Sequence, residues 1–270
     1  MLSASRVYQR YVAIGDSTTE GLDDPDGRGG YRGWANRFAE IIAAKQGHLL
    51  YANLAVRGLR TREILERQLD RALSMKPDLS TVVAGTNDVL RPKFSVDAYG
   101  RDIRHMQRSL IQQGATVLTF TLPDMSRVNP ITRRVAPRVK AMNAMLRIVS
   151  AETGAILVDM ANHEVGSDPR LWSRDRLHAN SVGHARIAAA LANAIQLPGS
   201  DMSWANPLEP DSPRAKVARL IDDAKWSREF LLPWIGRRLR GKSTSLKVLC
   251  KRPELTPVRQ DDVRASATAD

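Results

Sequence analysis

Along the first two hundred positions, short runs of apolar and β-branched residues alternate with longer stretches in which apolar residues recur three and four apart. The first pattern suits buried strands and the second amphipathic helices. Strands are predicted over Tyr11–Ile14, Leu49–Leu54, Leu79–Ala84, Thr116–Thr121 and Ile156–Val158. Helices are predicted over Trp34–Gln46, Thr61–Ser74, Val96–Gln113, Val135–Glu152 and Ser181–Ile195. Gly47, Gly114 and Gly154 follow three of these helices, where glycine readily adopts the left-handed turn that ends them. Strands alternating with helices predict an α/β fold, a doubly wound three-layer α/β/α sandwich on a five-stranded parallel sheet. Chemistry in such a fold belongs beyond the carboxyl ends of the strands.

The pattern changes after Leu197. Pro198, Pro207, Pro210 and Pro213 mark a linker or an extended wrap. Pro213 then opens a helical spacing of Val217, Leu220, Ile221 and Ala224. The chain is thus expected to divide into a main domain over 1–197, a basic and partly helical appendage over 198–252, and a disordered tail over 253–270. Removal of 253–270 is expected to cost no stability.

Composition narrows the function classes. Hydrophobic residues at 43% and charged residues at 26% are ordinary for a globular protein of 270 residues. No run approaches the roughly 18 apolar residues of a membrane span, and Met1–Arg10 lacks the core of a signal peptide. A cytoplasmic location is the resulting expectation. Cys250 is the single cysteine, so an intramolecular disulfide and a cysteine-based metal site are excluded. The net charge of +12 favours anionic surfaces. Trp204, Trp226 and Trp234 lead to the expectation that residues from about 200 to 240 pack on the domain or form an amphipathic face. The alternative is weak contact with an anionic membrane through Arg237, Arg238, Arg240, Lys242, Lys247, Lys251 and Arg252, beside Trp226, Phe230, Leu231, Trp234 and Ile235. No nucleic-acid motif is present, and no nucleic-acid partner is expected.

Candidate chemistry begins right after the first predicted strand, at Gly15-Asp16-Ser17-Thr18. A turn there exposes a serine hydroxyl at the sheet's carboxyl edge. Serine is a poor nucleophile until a base takes its proton, and that base needs a third group to hold its tautomer. Asp175-Arg176-Leu177-His178, in the loop before the last helix, supplies a carboxylate and an imidazole within one turn. Gly58 and Asn87, the latter within Gly85-Thr86-Asn87-Asp88, fall after two further strands and suit donation to an oxyanion. His48, His105, His163 and His184 show no ligand spacing and read as structural or surface residues.

These four blocks, in this order, resemble the GDSL or SGNH hydrolase family, with Thr18 where the namesake motif has Leu. The resemblance covers residues 9 to 196. It implies a flavodoxin-like sandwich and hydrolysis of carboxylic esters, short acyl or acetyl esters among them, on small-molecule or carbohydrate-linked substrates. It also implies a Ser17, His178 and Asp175 triad, an oxyanion hole from the Ser17 and Gly58 N–H groups and the Asn87 amide, and no metal or organic cofactor.

Two rival readings are weaker. Gly236-Arg237-Arg238-Leu239-Arg240-Gly241-Lys242-Ser243 satisfies a phosphate-loop pattern, but Pro233 interrupts the preceding apolar run and Pro253 cuts short a following helix. A non-enzymatic role, binding an anionic membrane or nucleic acid through the basic C-terminal segment, leaves the serine, histidine and carboxylate blocks without a purpose. The Gly-x-Ser-x-Gly elbow of ordinary α/β-hydrolases is absent.

Overall fold

Strand β1 (Arg10–Gly15) is buried over five of its six residues, because it lies in the middle of a sheet covered on both faces. Tyr11 and Ala13 point into one layer, and Val12 and Ile14 into the other. A computed structural model describes residues 6–128, 132–210 and 249–258 of the chain. After β1 come α1 (Ser17–Glu20), α2 (Gly33–Gln46), β2 (Leu50–Asn53), α3 (Thr61–Ser74), β3 (Leu79–Val83) and the short α4 (Thr86–Val89). Then follow α5 (Val96–Gln112), β4 (Thr116–Phe120), α6 (Thr132–Thr153), β5 (Ile156–Val158), α7 (Ser181–Ala194) and β6 (Arg252–Pro257).

The sheet order is β5-β4-β3-β1-β2-β6, and β1 to β5 are all parallel. This is the flavodoxin-like order, whose switch point lies between β1 and β3. Trp34, Phe38 and Ile42 of α2 and Ala188 and Leu191 of α7 fill one layer. Ile64 and Leu69 of α3, Ile103 and Met106 of α5, and Leu146 of α6 fill the other. Gly47, Gly114 and Gly154 end α2, α5 and α6 with positive φ, and their N–H groups bond back to Ala43, Ile111 and Ser150 carbonyls. Helix α6 starts three residues before the predicted Val135 and carries Pro137 inside it.

The expected five-stranded sheet has a sixth strand, β6, and the expected disorder over 253–270 needs correction over its first residues, 253–257; residues 259–270 lie outside the described residues. β6 pairs antiparallel with the β2 edge, Leu50 opposite Pro257 and Asn53 opposite Arg252. An edge strand bonds along one side only, so Pro253 and Pro257 are tolerated where a central strand would reject them. Just before β6, the Lys251 ammonium donates to the Tyr31 and Arg32 carbonyls, at 3.0 and 2.9 Å. Burial pushes this lysine down to about 8, against the pull of Glu20, Asp24 and Asp26. Deleting residues 253–270 should therefore uncover the β2 edge and lower Tm by roughly 3–8 °C, at about 2–4 °C per kcal/mol for a domain of this size. Thermal melts of the full and shortened chains check this, and equal midpoints would mean that β6 carries no stability.

Trp204, in the first part of the expected appendage, is buried against the α2 and α7 layer, and Arg186 donates to its carbonyl at 2.8 Å. The amphipathic spacing from Pro213, the aromatic face from Trp226 to Ile235, and Gly236–Ser243 lie outside the described residues. No helix among the described residues is long and apolar enough to cross a membrane.

Candidate active site

Asp16 leaves β1 in an extended conformation and caps α1, its Oδ1 accepting from Thr18 N at 3.0 Å. The cap sets Ser17 as the first helical residue, where a backbone N–H lies outside the helical hydrogen-bond ladder. Helix α1 ends after one turn at Gly21 (φ 93°), and a Cβ on Gly21 would stand 2.5 Å from Gly33 Cα. Only glycines let the end of α1 meet the start of α2 this closely. Asp24 then anchors the connecting loop, accepting from Gly33 N at 3.0 Å and from Arg37 Nε and Nη2 at 2.7 and 2.9 Å.

His178 reaches Ser17 from the loop before α7, 161 residues away in sequence. Its Nε2 lies 2.8 Å from Ser17 Oγ, and its Nδ1 lies 2.6 Å from Asp175 Oδ2. Asp175 Oδ1 accepts from Leu177 N at 2.9 Å and His178 N at 3.0 Å, so the loop backbone itself orients the carboxylate. Burial opposes the charge on Asp175, but the bond to His178, that ring's charge and the Ser173 hydroxyl hold it well below the usual carboxylate range. An ionised carboxylate only accepts, so Nδ1 carries the proton and Nε2 presents a lone pair to Ser17. Burial also works against a charged His178, yet Asp175, Asp23 and Asp16 outweigh it and raise its pKa. The site can therefore take a proton from Ser17 and hold it.

Gly58 and Asn87 come from the turn after β2 and from α4 after β3, the strands on either side of β1. Gly58 sits in the left-handed region at φ 81°. Asn87 Nδ2 donates to Leu59 O at 3.0 Å and to Asp16 Oδ2 at 3.1 Å, and so ties the Gly58 turn to the residue before Ser17. Asp88 Oδ2 accepts from Thr61 N and Thr61 Oγ1 at 2.9 Å each, fixing the start of α3 to the same block. Glu20 of α1 accepts from Arg57 N at 2.9 Å and pairs with its guanidinium. Four separate blocks are thus bonded to one another around Ser17. Burial pushes the Asp16 carboxyl up to about 6, against Thr18 N and His178.

Sequence reasoning did not single out Asp23 and Ser173. Ser173 Oγ stands 2.6 Å from Asp175 Oδ1 and 2.6 Å from Asp23 Oδ2, and Asp23 Oδ2 lies 3.8 Å from His178 Nδ1. Asp23, Asp175 and His178 are also the one group of metal-ligand side chains within 4.8 Å of one another among the described residues. The nitrogen facing those carboxylates carries a proton and offers no lone pair to an ion. His184 is a structural residue: Nδ1 accepts from Trp34 N and Nε2 donates to Leu22 O, both at 3.0 Å. Burial pushes it down to about 4, so it stays neutral. A cavity of about 760 Å³ opens beside the site at Thr18, Thr86 and Leu177 and extends past Leu122, Met160 and Leu171.

The model of the GDSL-like lipase/acylhydrolase family matches residues 13–186. An uncharacterized protein of Bacillus subtilis strain 168, YpmR, is 25% identical over 219 residues, 70% of this chain and 82% of its own length. TesA superposes with a TM-score of 0.59 at 20% identity, over 70% of this chain and 98% of that one. Axe2, an acetylxylan esterase from Geobacillus stearothermophilus, does so at 0.57 and 18% identity, over 73% and 96%. A lipase/acylhydrolase from Enterococcus faecalis gives 0.58 at 22% identity, over 69% and 95%. At these identities the structural likeness shows the fold.

Proposed function

The chain belongs to the GDSL-like lipase/acylhydrolase family, a family of ester hydrolases, and on that premise we propose that it cleaves carboxylic esters by acyl transfer through Ser17. The observation that carries this reading is the line of hydrogen bonds from Ser17 Oγ to His178 Nε2 (2.8 Å) and from His178 Nδ1 to Asp175 (2.6 Å). Ser17 Oγ bonds to the ester carbonyl carbon as its proton passes to Nε2. The oxyanion so formed meets the Ser17 and Gly58 N–H groups and the Asn87 amide. Nε2 then gives the proton to the leaving oxygen as the ester C–O bond breaks. In the second half His178 Nε2 takes a proton from water as its oxygen bonds to the acyl carbon, then returns that proton to Ser17 Oγ as the acyl–Ser17 bond breaks and the carboxylic acid is released.

The acyl group is the finer question, and the cavity bears on it. Its volume falls within the roughly 300–1,000 Å³ typical of sites for drug-sized ligands, and an acetyl group would leave most of it unfilled. Leu122, Val139, Met160, Val165 and Leu171 along its walls suit a hydrocarbon chain. A medium or long acyl group is therefore the preferred substrate, in place of the acetyl or short acyl group expected from sequence. Each methylene buried contributes about 0.8 kcal/mol, or at most roughly fourfold in kcat/KM. Across chromogenic p-nitrophenyl esters from acetyl to octanoyl, kcat/KM should rise roughly 10- to 100-fold. A maximum at acetyl would remove the acyl-cavity assignment, and no turnover of any ester would remove the hydrolase reading.

A further inference from the structure

We propose that Asp23, coupled through the Ser173 hydroxyl, is a second carboxylate positioning residue for His178, sharing with Asp175 the task of stabilising the imidazolium formed during acyl transfer. The inference rests on the reading of Ser17, His178 and Asp175 as a triad and adds to it two residues that the four sequence blocks do not contain.

The geometry is specific. A serine hydroxyl has one proton to donate, and Ser173 Oγ stands 2.6 Å from both Asp23 Oδ2 and Asp175 Oδ1. That proton serves one carboxylate at a time, so Ser173 is a donor shared between two carboxylates held side by side against it. The Asp175 backbone N–H points at the same Oγ at 3.3 Å. Asp23 Oδ2 is also 3.8 Å from His178 Nδ1, on the ring edge that already bonds Asp175. The two arms come from different parts of the fold, Asp23 from the loop after α1 and Ser173 from the loop before α7.

The backbone at Asp23 is adapted to this. Its φ is 66°, in the left-handed region that aspartate and asparagine enter more readily than other non-glycine residues. Gly21, two residues earlier, allows the close crossing with Gly33, and Asp24, the next residue, is clamped by Arg37 and Gly33. The turn is thus held at both ends, which leaves the Asp23 carboxylate facing Ser173.

The charges around His178 determine what this arm does. Asp175 lies on its own loop, Asp23 on the α1–α2 loop, Asp16 at the end of β1 and neutral His184 on α7. Burial disfavours a charged imidazole; Asp175, then Asp23 and Asp16, work the other way. Removing the Asp23 charge lowers the affinity of Nε2 for its proton. The neutral, active form of His178 then persists to lower pH, and the base becomes weaker where it is fully neutral.

The test uses the full chain with Asp23→Asn, which keeps the left-handed turn, and with Ser173→Ala, which breaks the link from the other loop. In Asp23→Asn the acid limb of kcat/KM on a p-nitrophenyl ester should move down by roughly half a unit to one unit. Its plateau kcat should fall about three- to tenfold with KM unchanged. Ser173→Ala should move both in the same direction, and the double variant should lose little more than the worse single one, because the residues act as one chain. The His178 Cε1 proton, followed by NMR in Ser17→Ala with and without Asp23→Asn, should titrate at lower pH when the carboxylate is absent. An unmoved imidazole titration and acid limb would overturn the proposal, even with a lower Tm, since a turn residue of purely structural value shifts Tm alone. Activity surviving in Ser17→Ala would instead remove the triad reading, so the two failures are distinguishable.

Discussion

Ser17→Ala should abolish ester hydrolysis and leave the fold unchanged. Ser17 is 8% exposed, and its hydroxyl bonds to His178 Nε2. The backbone that shapes the turn is held by other groups: the Asp16 carboxylate on Thr18 N, and the Ser17 carbonyl, which accepts from Gly21 N and Leu22 N. Alanine keeps all of these and is a good helix former at that position. Loss of a serine nucleophile leaves only binding and oxyanion stabilisation, so kcat should fall by roughly 10³- to 10⁶-fold with Tm within a degree or two of the parent. A serine-directed phosphonate should label Ser17 in the parent chain and nothing in the variant. Activity above a few per cent in a folded Ser17→Ala protein would show that another group attacks the ester.

The part of this site that was legible in the sequence is the part encoded locally. Ser17 and Asn87 follow β1 and β3, buried runs ended by turn residues, and His178 stands just before α7, whose helical period is plain. Asp175 was legible because it lies three residues from His178, within one turn of loop. Asp23 and Ser173 were not, because 150 positions separate them and each by itself is an ordinary polar loop residue. Their hydrogen bond exists only once the fold has set the α1–α2 loop against the loop before α7. β6 was missed for a different reason. Arg252-Pro253-Glu254-Leu255-Thr256-Pro257 has two prolines and little apolar content, and it is held by pairing with β2 and by Lys251 capping two loop carbonyls. Edge pairing of that kind leaves no hydrophobic period to read. The size of the cavity was also out of reach, since it depends on how the α6 start and the loops after β4 and β5 stand apart.

Asn87→Ala should lower kcat by roughly 10²- to 10³-fold with a smaller change in KM, the signature of a donor used chiefly in the transition state. Asn87 has two amide hydrogens, and in the structure one faces Asp16 Oδ2 and the other Leu59 O. Those partners flank the nucleophile on one side and Gly58 on the other, so the amide stands between two of the N–H groups assigned to the oxyanion. A developing negative oxygen is a stronger acceptor than a neutral peptide carbonyl, and the hydrogen on Leu59 is the one expected to turn toward it. The same bonds give Asn87 a structural value, because alanine leaves the buried Asp16 carboxylate and the Leu59 carbonyl each one donor short. A lost bond to a charged group costs about 1.5–3 kcal/mol, so Tm should fall as well, and kcat must be measured on protein shown to be folded at the assay temperature. The two roles then separate. A lower Tm with parental kcat would make Asn87 a staple between blocks and nothing more. A loss confined to KM would make it a ground-state contact. A fall in kcat that persists at temperatures well below both midpoints would assign its amide to the oxyanion.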